Sequence, residues 1–200
     1  DDVAFNLTTD STLYKLNELI LKNCVRFNCG ADDLNDFFVN DAIAYERDLM
    51  GKTYCWLDNC DDRKIVAMIT LANAAIQTAH LPNNPKRHLH KVIAHKKQGR
   101  TYPAVLIGRL GVAEDYQGPR FRVGAQIMDF IKDWFISADN KTGCRFILVD
   151  AVNNPHTLAY YERNGFKPLF PRESDEKAFY DIEDAGYLRT RMYYFDLLTY

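Results

Sequence analysis

The sequence predicts an α/β fold in a single domain spanning residues 1–200, with a mixed central sheet flanked by helices. A chain of 200 residues, 47% of them hydrophobic, can bury a substantial core as one domain. The apolar stretches "PAVLIGRLGV" and "CRFILVDAV" flank a helical pattern over residues 124–138, which is typical of a βαβ unit with two parallel strands. The stretches "TYCWLD" and "KIVAMITLANAA" are joined by the polar turn "NCDDR", which predicts an antiparallel hairpin.

Two helices are predicted before these strands. Ser11 can cap the first, whose apolar positions follow the i, i+3, i+4 spacing: Leu13, Leu16, Leu19 and Ile20. The second carries Asp32 and Asp33 in its first turn, where carboxylates favour the positive end of the helix dipole. One face of this helix is expected to be apolar before Gly51 ends it, through Leu34, Phe37, Phe38, Tyr45 and Leu49.

The C-terminal third predicts a short helix and a last strand. Asn154 can cap a helix that has Pro155 at its first position and ends at Gly165. The last strand is "RMYYFDLL", and a charged, aromatic insertion over residues 171–187 precedes it.

The composition indicates no membrane span and no metal. No run approaches the roughly 18 apolar residues of a spanning helix, and the N-terminal "DDVAFNLTTD" has neither a basic nor an apolar signal region, so we expect a cytoplasmic protein. Five cysteines, an odd number set mostly in apolar text, favour reduced thiols. Two C-x4-C pairs could bind zinc, but structural zinc sites usually use shorter spacing.

The charge of the chain is uneven. The segment "KRHLHKVIAHKKQGR", residues 86–100, holds six of the 25 Lys and Arg and no acid, whereas 27 Asp and Glu dominate the rest. This basic segment could contact RNA phosphates, with Lys96 and Lys97 as candidate contacts. A solvated loop is the alternative, because charge runs usually are solvated surface.

The stretch "RLGVAEDYQGPRFRVGAQIM", residues 109–128, predicts a strand, a loop with glycines and the beginning of a helix. Unpaired backbone N–H groups and the positive end of the helix dipole then meet at one place, which is a site suited to phosphate. The pattern alone is weak, since a plain βα turn has the same features.

This loop, followed at helix-plus-strand distance by "NNPHTLAYYERNGF", resembles the GNAT family of acetyl-coenzyme A-dependent N-acetyltransferases. The stretches "FNCGADDLNDFFVNDAIAYERDLMGKTYCWL" and "AVLIGRLGVAEDYQG" are similar to the branch containing the toxins that acetylate aminoacyl-tRNA. Together these stretches cover most of residues 26–170. The resemblance implies a GNAT-like fold with splayed parallel strands, acetyl-CoA as acetyl donor, and partners that include an amine acceptor such as tRNA, an antitoxin and a second copy of the chain.

The resemblance also implies a set of cofactor-binding residues. The pantetheine arm would lie between the strand at 109–112 and the strand at 145–151. A backbone N–H near Leu110 would polarise the thioester carbonyl as an oxyanion donor. The candidate cofactor contacts are Gly111, Val112, Gln117, Gly118, Arg120, Arg122, Val123, Gly124, Ala125 and Asn153.

The loop departs from the family pattern Gln/Arg-x-x-Gly-x-Gly/Ala. Counting back from Gly124 places Arg122 at the middle glycine and Pro119 at the Gln/Arg, so the backbone approach is expected to differ from the usual one. Arg120 and Arg122 could compensate by pairing with the diphosphate or the 3′-phosphate, or both could point to solvent.

Tyr161, four residues before the glycine of "NGF", matches the general acid of the family, which protonates the departing thiolate of coenzyme A. Tyr160 points about 100° away on a helix, so only one of the two should face the cofactor. Asn153 or Asn154 could hydrogen-bond the cofactor arm, although Asn154 equally suits a helix cap.

The acceptor is suggested by an absence in the sequence. Many family members carry a carboxylate base on the central strands, and "AVLIGRLGV" has none. An α-amine of pKa about 7.7–8.0 loses its proton more easily at neutral pH than a lysine amine of pKa about 10.4, so it depends less on a catalytic base. This favours an aminoacyl ester as acceptor. Arg109 in that strand is expected to be buried and ion-paired, and is a candidate substrate contact.

The alternatives are an acetyltransferase for a protein or small-molecule amine, and a non-catalytic module that binds acyl-CoA through an altered loop.

Overall fold

The computed structural model describes residues 4–91 and 101–200. These residues form two compact units. Unit 1 comprises the chain up to Ala72 together with Ile107–Trp134, and unit 2 comprises Asn73–Leu106 together with Phe135–Tyr200. The strand order is β1-β2-β3-β4-β5-β7-β6, and the long strands β3 and β4 contribute residues to both units.

The seven strands are β1 Ser11–Lys15, β2 Lys52–Asp58, β3 Ile65–Gln77, β4 Thr101–Val112, β5 Phe146–Val152, β6 Lys167–Pro168 and β7 Thr190–Asp196. The α-helices are α1 Leu7–Asp10, α2 Glu18–Asn23, α3 Asp32–Asp36, α4 Ala42–Arg47, α5 Asn83–Lys91, α6 Val123–Ile136, α7 Pro155–Arg163 and α8 Glu173–Phe179. A π-helical turn, Phe37–Asp41, joins α3 to α4. The predicted hairpin is confirmed, because β2 and β3 pair antiparallel from Lys52↔Leu71 onwards.

In unit 1, β1 and β2 also pair antiparallel, from Ser11↔Asp58 to Lys15↔Tyr54. The helix predicted from Ser11 is therefore wrong. Residues 11–15 form a strand because their backbone pairs with the edge of β2. Ser11 directly follows α1 instead of beginning a helix, and its Oγ donates to the carbonyl of Leu7 at 2.5 Å. The helix begins only at Glu18, where the side chain of Asn17 accepts a hydrogen bond from the N–H of Ile20.

The second predicted helix exists but ends earlier than expected. It begins at Asp32 and buries Phe38, as its pattern indicates. The helix ends at Arg47, and Leu49 then takes a positive φ of 59° and is 91% exposed. Leu49 is thus not part of the apolar face. The core of unit 1 consists of Leu16, Phe27, Phe38, Ala42, Cys55, Ile65 and Met68.

In unit 2, β5 and β7 pair antiparallel from Phe146↔Asp196 to Val152↔Thr190, and β6 adds two residues at the edge of β7. The charged, aromatic insertion over residues 171–187 contains α8. The core of unit 2 consists of Ile76, Leu89, Tyr102, Ala104, Phe146, Leu148, Leu169, Phe170 and Tyr194.

Candidate active site

The loop between β4 and α6, in unit 1, is held to the rest of the unit by backbone and side-chain hydrogen bonds. Gln117 Nε2 donates to the carbonyls of Cys29, at 2.9 Å, and Val112, at 2.7 Å. The Glu114 N–H donates to the carbonyl of Asn28 at 3.0 Å. Gln117 and Val112, both predicted cofactor contacts, therefore bind each other and fix where the loop leaves the strand.

The backbone of the loop contains two left-handed residues, Gly118 at φ 97° and Arg122 at φ 50°. Arg122 occupies the position where the family pattern has its middle glycine, and its backbone takes the left-handed conformation that glycine usually supplies. The carbonyl of Arg122 accepts hydrogen bonds from the N–H groups of Ala125, at 3.0 Å, and Gln126, at 3.1 Å. Starting the helix in this way compensates part of the cost of a non-glycine residue at positive φ, which is about 1 kcal/mol or more.

The start of α6 is also fixed by Gln126, whose side chain contacts three backbone groups. Its Oε1 accepts from the N–H of Leu7 at 2.8 Å, and its Nε2 donates to the carbonyls of Phe5 and Phe121 at 3.0 and 2.9 Å. The guanidinium of Arg120 lies over the ring of Phe121, at 5.5 Å from the ring centroid. Both Arg120 and Arg122 are exposed, as a phosphate contact requires.

Gly111 and Arg109 lie near the end of strand β4. A Cβ on Gly111 would meet Cys29 Sγ at 3.1 Å and the rings of Phe27 and Phe38 at 3.2 Å, so side-chain packing alone already requires glycine here. Arg109 is exposed rather than buried, and its guanidinium lies 5.0 Å from the ring centroid of Phe37 while Nη1 donates to the carbonyl of Gly108. The expected buried ion pair is therefore wrong, since cation–π contact and solvent satisfy this charge instead.

In unit 2, Asn154 caps α7 as predicted. Its side chain accepts from the N–H of Thr157 at 2.8 Å, and Pro155 occupies the first turn. Asn153 is bound to the start of β7 instead, because its Nδ2 donates to the carbonyl of Leu188 and its N–H to the carbonyl of Arg189, both at 2.9 Å. The amide nitrogen of Asn153 thus has a structural partner, and its cofactor role stays a prediction.

Tyr161 is buried on α7, whereas Tyr160 beside it is only half-buried. The ring of Tyr161 packs against Tyr160 at 5.0 Å and against Phe166 at 5.5 Å between centroids. Burial raises the pKa of the Tyr161 phenol above its ordinary value. The group therefore stays protonated at neutral pH, which is the state that a proton donor needs.

Sequence reasoning missed one ionisable residue of unit 2. Asp150 lies on β5, in the otherwise apolar run "FILVDAV", and burial raises the pKa of its carboxyl although the side chain keeps contact with solvent. A carboxylate within such a run is itself the signal that could have drawn attention to it.

The remaining predictions concern the basic segment, metals and membranes. Lys96 and Lys97 lie outside the described residues, whereas Lys86 and Arg87 lie on α5. Among the residues that the structure describes, no group of His, Cys, Asp or Glu could hold a metal ion, and no helix is long and apolar enough to cross a bilayer.

Comparison with solved structures identifies the fold, whereas no family model matches the chain. AtaT complexed with acetyl-methionyl-tRNAfMet is 21% identical, with 95% of this chain and 96% of that chain covered and a TM-score of 0.63. AtaTR bound with AcCoA gives the same identity and TM-score, with 95% of each chain covered. The chain has the fold of the GNAT-type toxin acetyltransferases. A tyrosine-to-phenylalanine mutant of KacT agrees, at 17% identity, 96% and 97% coverage and a TM-score of 0.64.

This GNAT fold confirms the fold class that the sequence predicts, and the resemblance to the toxin branch is confirmed for the fold. The individual cofactor and catalytic residues stay predictions.

Replacing Arg122 tests whether its charge or only its backbone conformation serves the loop. Glycine relieves the left-handed conformation but gains freedom in the unfolded chain, so Arg122→Gly should change the free energy of unfolding by no more than about 1 kcal/mol. If the guanidinium binds a phosphate, Arg122→Gly and Arg122→Ala should both weaken acetyl-CoA binding about 10-fold. Isothermal titration of acetyl-CoA measures this, with the exposed Lys52→Ala as control. Unchanged affinity in both variants would place the Arg122 side chain in solvent.

Proposed function

We propose that this protein is an N-acetyltransferase that moves the acetyl group of acetyl-CoA to a primary amine, the α-amine of an aminoacyl-tRNA. The observation that carries the proposal is the match over 95% of the chain to AtaT, whose structure was solved with acetyl-methionyl-tRNAfMet. A neighbour solved with AcCoA supports acetyl-CoA as the donor.

The β4–α6 loop would hold the diphosphate of acetyl-CoA. Its glycine-like backbone at Gly118 and Arg122, followed directly by a 14-residue helix, supports this assignment. Backbone N–H groups at the start of a helix attract anions, and Arg120 and Arg122 would add positive charge at the rim. The N–H of Leu110 would donate to the thioester carbonyl as charge develops on its oxygen.

Tyr161 would be the general acid. The phenol would give its proton to the sulfur of coenzyme A as the carbon–sulfur bond breaks. A thiol has a pKa of about 8.5, and it leaves more readily as the neutral thiol than as the thiolate. Two neighbours, AtaT and KacT, were solved as tyrosine-to-phenylalanine mutants, which is consistent with a tyrosine whose hydroxyl matters in that fold.

The proposed partners follow from the same neighbours. AtaT was solved bound to the C-terminus of the antitoxin AtaR, and KacTA in complex with DNA. We propose that this chain also pairs with an antitoxin, and a homodimer is a further candidate assembly. An acetyltransferase for a protein or small-molecule amine remains the second candidate function, since the same fold and acid would serve it.

Acetyl transfer to charged tRNA tests the proposal. We expect labelled acetyl groups to pass from acetyl-CoA to aminoacyl-tRNA and not to uncharged tRNA. If the basic segment contacts phosphates, the logarithm of the binding constant should fall with the logarithm of salt by nearly one unit per phosphate contact. The double variant Lys96→Glu, Lys97→Glu should flatten this slope and reduce acetylation of tRNA, yet leave that of a small amine unchanged.

The matched control reverses two exposed charges elsewhere, Lys64→Glu with Lys141→Glu, and should keep the wild-type slope. If the wild-type protein leaves charged tRNA unmodified but acetylates a peptide or a polyamine, the aminoacyl-tRNA assignment fails and the second candidate function stands. If no amine is acetylated although acetyl-CoA binds, the non-catalytic alternative is correct.

A further inference from the structure

The N-terminal segment, residues 5–7, is bound to the loop between β4 and α6 by the side chain of Gln126. The Oε1 atom accepts from the N–H of Leu7, and Nε2 donates to the carbonyls of Phe5 and Phe121. Long side chains on a helix point back towards its N-terminus, so a residue in the first turn of α6 can reach the loop before it. One amide thus joins the loop to a segment that lies 119 to 121 positions earlier in the chain.

These contacts fix the peptide group between Phe121 and Arg122. Its carbonyl, from Phe121, accepts from Gln126 Nε2 at 2.9 Å, and its N–H, from Arg122, donates to the carbonyl of Gly118 at 3.2 Å. A peptide unit is planar, so hydrogen bonds at both of its ends set the orientation from which Arg122 turns to its positive φ of 50°. A residue other than glycine keeps such a conformation only where its surroundings impose it. Gln126 is one of the groups that impose it.

Aromatic packing reinforces the same connection. The ring of Phe5 lies 5.3 Å from that of Tyr116 and 6.2 Å from that of Phe121, and the rings of Tyr116 and Phe121 lie 6.0 Å apart, all between centroids. Tyr116 is buried, and its hydroxyl donates to Asp58 Oδ2 at 2.5 Å, at the end of β2. Aromatic rings in mutual contact bury apolar area and stabilise each other's positions. Phe5 therefore packs Phe121, the residue directly before Arg122, against a side chain that is hydrogen-bonded to the sheet.

The length of the loop gives this support a role in binding. Counted from Gln117 to Gly124, the loop is two residues longer than the pattern Gln/Arg-x-x-Gly-x-Gly/Ala. A longer loop has more conformations when no ligand is bound, and ordering them on binding costs free energy. A loop that is already held in one conformation avoids this cost.

We propose that Gln126 is a positioning residue for acetyl-CoA: together with residues 5–7 it holds the loop between β4 and α6 in the conformation that accepts the diphosphate. The inference rests on the proposed function, because it takes this loop as the diphosphate site. Gln126 acts through the peptide between Phe121 and Arg122 rather than by contact with the cofactor. Without its amide the binding conformation is populated only in part, and the apparent Kd rises by the inverse of that population.

The test replaces Gln126 by methionine, which keeps the length of the side chain and removes the amide. Isothermal titration should show that Gln126→Met raises the Kd for acetyl-CoA about 10-fold, the change expected when the binding conformation falls to about a tenth of the population. With an amino-acid amide as acceptor, the KM for acetyl-CoA should rise to the same extent. The kcat should change less than about 2-fold, because bound cofactor restores the loop.

A donor without the diphosphate separates positioning from a general disturbance of the site. S-acetylpantetheine carries the thioester and the pantetheine arm but no diphosphate. Its kcat/KM should be the same in wild type and Gln126→Met, within about 2-fold. An equal loss with both donors would show that Gln126 supports the whole site rather than the loop, and would overturn the inference.

The matched control is Asn59→Ala, which removes side-chain hydrogen bonds from another part of the N-terminal region. Asn59 Nδ2 donates to the carbonyl of Thr9 at 3.0 Å, and Oδ1 accepts from Thr12 Oγ1 at 2.7 Å. Both Asn59→Ala and Gln126→Met should lower the melting temperature, because both lose hydrogen bonds of the folded state. Only Gln126→Met should change the Kd for acetyl-CoA, measured well below the melting temperature, where both variants are folded.

Phe5→Ala tests the aromatic part of the connection. Loss of the ring removes its contact with Phe121, so the Kd for acetyl-CoA should again rise. The double variant Gln126→Met, Phe5→Ala should weaken binding by less than the product of the two single effects, because both residues act through one loop conformation. A double effect equal to the product would show that the two residues act independently, which contradicts a single connection.

Titration with acetyl-CoA needs no acceptor, so the result for Gln126 does not depend on which amine is acetylated. An unchanged Kd in Gln126→Met, or an equal rise in Asn59→Ala, would overturn the inference while the proposed function stands. A wild-type protein that does not bind acetyl-CoA would overturn the proposed function and the inference with it.

Discussion

Replacing Tyr161 by phenylalanine is expected to lower kcat by about 10²-fold or more, with little change in acetyl-CoA affinity. The hydroxyl acts mainly in the transition state, when negative charge develops on the sulfur, and general acids contribute about 10²- to 10⁴-fold. Binding of the cofactor in the ground state does not depend on that proton. Steady-state kinetics with acetyl-CoA and charged tRNA measure the effect, and titration calorimetry measures the affinity.

Tyr160→Phe is the matched control, because it removes the same hydroxyl one residue away on α7. It should cost much less activity, since Tyr160 is half-buried and points to another side of the helix. Phenylalanine keeps the ring contacts of Tyr161 with Tyr160 and Phe166, so a lost fold would not explain a lost rate. Equal losses from both substitutions, or none from either, would contradict the role of Tyr161.

Elements with a strong local signal were predictable. The β2–β3 hairpin, the strands and helix around the loop, and the Asn154 cap each depend on spacing, turn residues or caps that act within a few positions. Strand β1 was not, because its apolar positions also fit a helix, and pairing with β2, 39 to 47 positions later in the chain, decides between the two. Non-local pairing of this kind leaves no trace in the segment itself.

The candidate site likewise contains residues that the sequence indicated and features that it did not. Tyr161 and the loop were found by resemblance, whereas the left-handed backbone of Arg122 runs against the ordinary preference of arginine and could not be read from the residue type. Arg109 was placed wrongly because its neighbours in the strand are apolar, whereas its own side chain is exposed.

The largest expected effect on stability comes from replacing Glu176, whose side chain links α8 to β7 through hydrogen bonds. Its carboxylate is fully buried and accepts hydrogen bonds from Arg191 and from the N–H of Met192. Burial raises the pKa of Glu176, and these two donors oppose that shift by stabilising the ionised form. The pair therefore offsets a high desolvation cost, and either member alone would be left with that cost.

Glu176→Ala should consequently lower the free energy of unfolding by about 3 to 5 kcal/mol, because Arg191 would remain buried without its counter-ion. Urea denaturation measures this, and Glu173→Ala, three residues earlier and partly exposed in its ion pair with Lys177, should stay within about 0.5 kcal/mol of wild type. The double variant Glu176→Met, Arg191→Met should recover much of the loss, since it removes both charges and keeps apolar volume. A double variant as unstable as Glu176→Ala would show that the hydrogen bond to Met192, rather than the charge pair, holds α8 in place.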